Sequence, residues 1–173
     1  MLVSANAACG IEVFVCARKA SRLKFAVLVP DEEGVMKRRY CIPDFCCILN
    51  RQGSPKVEST RCYFWEITNA KPGQHWKKEN DVIQKCEMYN TYFDSGDFVD
   101  RLQKEFHVEV RNFRVVITFP TEARARNFVD IFRSRGVAYP GRFFVTWKDA
   151  YRTNMYGSIF LCPKDGSLHS FCD

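Results

Sequence analysis

Alternation of period two in the first thirty residues is the strongest constraint on this chain. Ile11, Val13, Val15 and Ala17 share one phase against Glu12, Phe14 and Cys16, and Leu23, Phe25, Val27 and Val29 share one against Lys24, Ala26 and Leu28. Successive side chains of a strand point to opposite faces, so a chain written this way has to build a sheet. The link 18–22 is short enough for a hairpin, and the turn residues Pro30, Asp31 and Gly34 precede a third strand, 35–42, stopped by Pro43. Beyond a loop with Gly53, Ser54 and Pro55, the aromatic run Tyr63, Phe64 and Trp65 predicts a strand over 60–68. The first half therefore reads as an antiparallel meander. Residues 69–80, with Pro72, Gly73, Trp76 and three lysines, read as a long connection of the kind that often carries function.

In the second half, residues 82–93 place Cys86, Met88 and Tyr92 on one phase and Lys85, Glu87 and Tyr89 on the other, which predicts another strand. A helix follows, capped by Asp94 or Ser95, with Phe98, Val99, Leu102 and Phe106 on one stripe. Val108 and Val110 then lie on even positions while Phe113, Val115, Ile117 and Phe119 lie on odd ones, so a bulge or turn is expected at Arg111 and Asn112. Pro120 ends that strand. Thr121 caps the clearest helix, whose Ala125, Phe128, Val129 and Phe132 form a stripe stopped by Gly136. Strands over 142–147 and 158–161 complete the chain. The expected architecture is a single α+β domain over 1–173, a sheet with two helices on one face.

With a turn at Arg111 and Asn112, residues 82–147 read strand, helix, strand, strand, helix, strand, a ferredoxin-like order. The piece V-V-I-T-F-P-T-E-A-R-A-R-N-F-V, closing with G-V-A-Y-P-G-R-F-F-V, resembles the last third of an RNA-recognition motif. That resemblance implies a ferredoxin-like module that binds RNA. The strand N-F-R-V-V-I-T-F departs from the family's pattern, having no Gly and no central aromatic on which a base would stack.

Charge supports the same partner. Between Arg111 and Arg152 there are nine cations, eight of them Arg, against three anions, whereas 87–110 holds two cations against six anions. Guanidinium forks bind phosphate in two places and stack on bases. The residues expected to contact nucleic acid, single-stranded RNA before DNA, are Arg124, Arg126, Arg133, Arg135, Arg142 and Arg152, with Trp147 and Tyr151 as stackers. The alternative is a protein-interaction module, docking its partner through an aromatic sheet edge or the loop around Trp76. A small viral or regulatory protein that antagonises a host factor fits that class.

The nine cysteines are odd in number and lack the compact spacing of a disulfide scaffold, and residues 1–10 lack a basic leader, so a cytoplasmic or nuclear location is expected. Cys162, His169 and Cys172 form a C-x6-H-x2-C array with three soft donors, and Cys41, Cys46 and Cys47 lie together, but neither has paired C-x2-C knuckles. No phosphate loop, H-E-x-x-H or G-x-S-x-G motif occurs, so neither catalysis nor a cofactor is expected, and no apolar run is long enough to span a membrane.

Overall fold

The computed structural model describes residues 11–17, 23–31, 33–51, 60–68, 75–154 and 157–170, with the backbone alone at 11–17, 50–51 and 75–80. In chain order come β1 (Ile11–Ala17), β2 (Phe25–Pro30), β3 (Met36–Cys41), β4 (Phe45–Arg51), β5 (Arg61–Ile67), α1 (His75–Ser95), α2 (Asp97–Phe106), β6 (Phe113–Phe119), α3 (Glu122–Ser134), β7 (Phe143–Trp147), α4 (Lys148–Thr153), β8 (Phe160–Leu161) and β9 (Leu168–His169). The α+β class is as the sequence predicts. Seven strands form one sheet in the order β1-β4-β5-β6-β7-β8-β9, and β2 and β3 form a separate hairpin.

The meander is corrected in two respects. β1 pairs antiparallel with β4 and not with β2, which pairs only with β3 among the described residues. β5, β6 and β7 are parallel. Parallel neighbours need long crossovers, and these are supplied by α1 with α2 and by α3. Both faces of the parallel strands are covered, which explains why they read as nearly continuous apolar runs such as V-V-I-T-F.

Residues 82–93 are helix, not strand, and the helix begins at His75, so 75–80 with Trp76 belongs to α1 and not to the expected loop. Their periodicity is blurred because α1 is buried on two sides. Tyr89 stacks on Phe64 of β5 at 5.7 Å between centroids, while Tyr92 stacks on Phe25 of β2 at 4.0 Å. No strand lies between α2 and β6 either, since 107–112 is a loop, so the order over 75–147 is helix, helix, strand, helix, strand and not ferredoxin-like. The expected helices at α2 and α3 are present. The N-cap of α2 is Gly96, φ 75°, and not Asp94 or Ser95, which end α1, while Ala125, Phe128, Val129 and Phe132 are the buried stripe of α3. Gly136 takes the left-handed conformation, φ 63°, that lets the chain leave the helix.

All three longer helices pack on one face of the large sheet, around Phe64, Phe113, Val115, Ile117 and Phe143. On the opposite face Tyr63, Trp65, Val116 and Phe144 are buried with Phe160 and Cys162. The Trp65 indole donates to Thr118 Oγ1 at 2.8 Å, and Tyr151 of α4 meets its ring edge-on.

Candidate interaction site

The expected arginine patch is divided by the fold. On α3, Arg124 and Arg135 stand about three turns apart on one flank of the apolar stripe, and Arg126 and Arg133 about two turns apart on the other. Arg126 pairs with Glu122 at 2.7 Å, and Arg133 Nε donates to the Pro163 carbonyl at 2.8 Å. Arg142 is buried, correcting its expected role in phosphate binding. Its guanidinium carbon lies 3.5 Å from the centre of the Phe93 ring and 4.4 Å from that of Tyr139, and Nη1 donates to Asn90 Oδ1 at 2.7 Å. Asn90 in turn donates to the Ala138 carbonyl, so the cation locks α1 to the loop before β7. Trp147 packs against the helix-side core, while Tyr151 and Arg152 are exposed on α4. The side chain of Trp76 and all of Cys172 lie outside the described residues. The other expected metal donors, Cys162 and His169, come together with Asp165.

The surface that stands out lies on the β2–β3 hairpin. Register places Ala26 opposite Tyr40, Leu28 opposite Arg38 and Pro30 opposite Met36 on one face, and Phe25 opposite Cys41 and Val27 opposite Arg39 on the other. The inner face is core: Phe25, Val27 and Cys41 are buried, and Arg39 donates to Gln84 of α1. The outer face is not covered by any described residue: Leu28, Met36 and Tyr40 are each more than half exposed, as is Val35 at the start of the return strand. Lys24 Nζ sits 4.0 Å from the centre of the Tyr40 ring, and the Arg38 guanidinium 5.5 Å from it, so the apolar surface is rimmed by cations.

The turn holding the hairpin is built by Asp31, whose Oδ1 accepts from the Glu33 and Val35 N–H groups while Oδ2 pairs with Lys37 at 2.6 Å. The donors hold the Asp31 carboxyl below the usual range. Beside the hairpin, a cleft of about 490 Å³ opens toward α2, floored by Phe25 and Tyr92 and walled by Arg38, Arg101 and Lys104 with Asp97, Asp100 and Glu105. The sequence carried a signal for this surface. M-K-R-R-Y has three successive cations and no apolar phase, so neither face of β3 can line a core along its length.

The hairpin root is fixed by a buried polar group. Glu66 of β5 accepts from Lys85 Nζ at 2.5 Å and from the Tyr89 hydroxyl at 2.7 Å, and the Cys41 thiol approaches the same carboxylate at 3.9 Å. Burial pushes Glu66 up despite the adjacent ammonium, and Lys85 is raised by its carboxylate partner against the effect of its own burial. Burial and Glu66 push the Cys41 thiol up to about 12, so it stays protonated at neutral pH and is no nucleophile there. The network ties β3, β5 and α1 together. No protein-family model, curated protein or solved structure matches the chain.

Proposed function

We propose that the protein is a non-catalytic interaction module whose β2–β3 hairpin docks an apolar, acidic segment of a partner protein. The observation that carries this reading is the concentration of exposed large apolar side chains on one small element: Leu28, Val35, Met36, Tyr40 and Ile42 all fall between residues 28 and 42. Clustered exposed apolar surface with a polar rim marks an interaction site, whereas scattered single residues do not. The rim defines the occupant. Lys24 and Arg38 flank Tyr40, so a partner placing carboxylates beside its apolar side chains is matched in charge as well as shape. β3 bonds only β2 among the described residues, and its outer edge offers backbone groups to which an extended segment can add as a further strand.

Selection from a random-peptide library displayed against the folded protein tests this. Enriched peptides are expected to alternate apolar and acidic residues and to lose binding to a Leu28→Glu, Met36→Glu variant. Enrichment of peptides that bind that variant as well as the wild type would remove the hairpin as the site.

A second reading, nucleic-acid binding with single-stranded RNA favoured, draws on a different property of the same surface. Two cations, Lys24 and Arg38, adjoin the exposed Tyr40 ring, the combination with which single-strand binders track phosphates and stack bases. Under this reading affinity falls by orders of magnitude between about 50 and about 200 mM salt. An apolar docking surface gives a shallower slope.

A further inference from the structure

We propose that Cys162, Asp165 and His169 form a Zn²⁺ site that staples the β8–β9 turn. The thiol sulfur, a carboxylate oxygen and an imidazole nitrogen of these residues all lie within 4.8 Å of one another. They are spaced C-x2-D-x3-H along a tight turn. The turn is set by the backbone: the Gly166 N–H donates to the Cys162 carbonyl at 2.8 Å, the Cys162 N–H donates to the Ser167 carbonyl at 2.9 Å, and Gly166 has φ 77°. This brings a donor from each end of the turn, and one from its middle, to a common point.

The donor set selects the ion. Thiolate, imidazole and carboxylate together suit borderline-soft Zn²⁺, while Mg²⁺ and Ca²⁺ take oxygen cages. Two of the three donors are already placed. Cys162 is buried against the sheet, and the His169 ring stacks on Phe144 at 5.6 Å between centroids. Asp165 is exposed at the turn, where its Oδ1 accepts from the Ser167 N–H at 2.8 Å. Its carboxylate lies 4.0 Å from His169 Nε2, and the Ser167 hydroxyl bridges them, donating to Asp165 Oδ1 at 2.5 Å and lying 2.7 Å from Nε2. Tetrahedral bonds of about 2.0–2.3 Å put donor atoms about 3.5 Å apart. A closure of roughly an ångström therefore completes three ligands and leaves the fourth position to a further donor or water. Binding replaces the thiol proton of Cys162, which leaves to solvent, and exchanges the Ser167 bridge for metal bonds.

The fold gives such a staple a purpose. β8 and β9 are two residues each, yet they form the edge of the large sheet beyond β7. A metal across the turn holds the tail where so short a ladder holds it weakly.

Co²⁺ titration of the reduced, metal-stripped protein, followed by Zn²⁺ competition against a chromophoric chelator, tests the site. The wild type is expected to take up one equivalent with a thiolate-to-cobalt charge-transfer band and the visible bands of tetrahedral cobalt. The charge-transfer band should vanish in Cys162→Ser. Asp165→Asn and His169→Gln should each weaken Zn²⁺ by at least about ten-fold, the smaller end of what even an outer-shell partner of a ligand costs. Circular dichroism establishes that the variants fold, and Asp165→Asn, at an exposed position, keeps the test decisive if Cys162→Ser does not. No thiolate band in the wild type, a band that survives in folded Cys162→Ser, or wild-type affinity in Asp165→Asn would overturn the proposal.

Discussion

A guanidinium taken out of water is stabilising only where its donors and its charge both find partners, and Arg142 meets that condition through Asn90 and two aromatic rings. Replacing it by Ala is expected to cost about 2–4 kcal/mol, from a charged hydrogen bond and a desolvated cation–ring contact, read as a lower denaturant midpoint. The folded fraction should bind partners normally, because the side chain does not reach the hairpin. Glu66 gives a pH signature. Its folded pKa is raised, so the folded state holds a proton that the unfolded chain releases, and stability is lost as pH rises from the ordinary carboxylate range through the folded value. The stability of the wild type relative to Glu66→Gln should therefore fall over that window; a constant or rising difference would contradict the assignment. Lys85 is raised too, and its contribution is kept up to the ordinary lysine range and lost above it. At this scale the sequence showed residue types but not their commitments. Arg142 and Arg152 look alike in the chain, and only burial tells the lock from the surface charge.

Among the elements, α1 does the most to place the candidate site, because it carries the hairpin on one side and leans on the large sheet with the other. Tyr92→Ala removes the ring stacked on Phe25 and is expected to destabilise by about 3–5 kcal/mol, as large aromatic truncations do. Amide exchange in β2 and β3 should accelerate more than in β6; equal acceleration would mean that the hairpin is not held by this contact. The legibility of elements followed how many sides of each are buried. α3 covers one face, so its stripe of Ala125, Phe128, Val129 and Phe132 and its stop at Gly136 were readable from the chain. α1 is enclosed on two sides, which widens its apolar face, and with Tyr89, Tyr92 and Phe93 in the run it passed for a strand. β4, F-C-C-I-L-N-R, lacks alternation for the related reason that Cys46 and Ile48 meet one core and Cys47 and Leu49 the other. Pairing was less readable still, since β1 bypasses the hairpin to reach β4 across a gap that local pattern does not record.

For the molecule as a whole, the proposed docking surface is a small sheet outside the large one, with exposed apolar residues flanked by cations. The net charge of +6 is spread over separate surfaces, and the α3 arginines alone point to opposite flanks. Because Leu28 and Met36 are exposed, Leu28→Glu with Met36→Glu should leave stability within about 0.5 kcal/mol per site while abolishing docking. No described helix is long and apolar enough to cross a membrane. The most direct test is a fluorescence-anisotropy titration of a labelled peptide alternating apolar and acidic residues, and separately of single-stranded RNA, at about 50 and about 200 mM salt. Wild-type protein, the Leu28→Glu, Met36→Glu variant and an Arg124→Glu, Arg135→Glu variant are compared. Peptide affinity is expected to fall with salt far less steeply than that of RNA, to be lost in the hairpin variant and to be retained in the helix variant. Peptide binding that survives the hairpin substitutions, or RNA binding with a steep salt slope that only the helix substitutions remove, would contradict it.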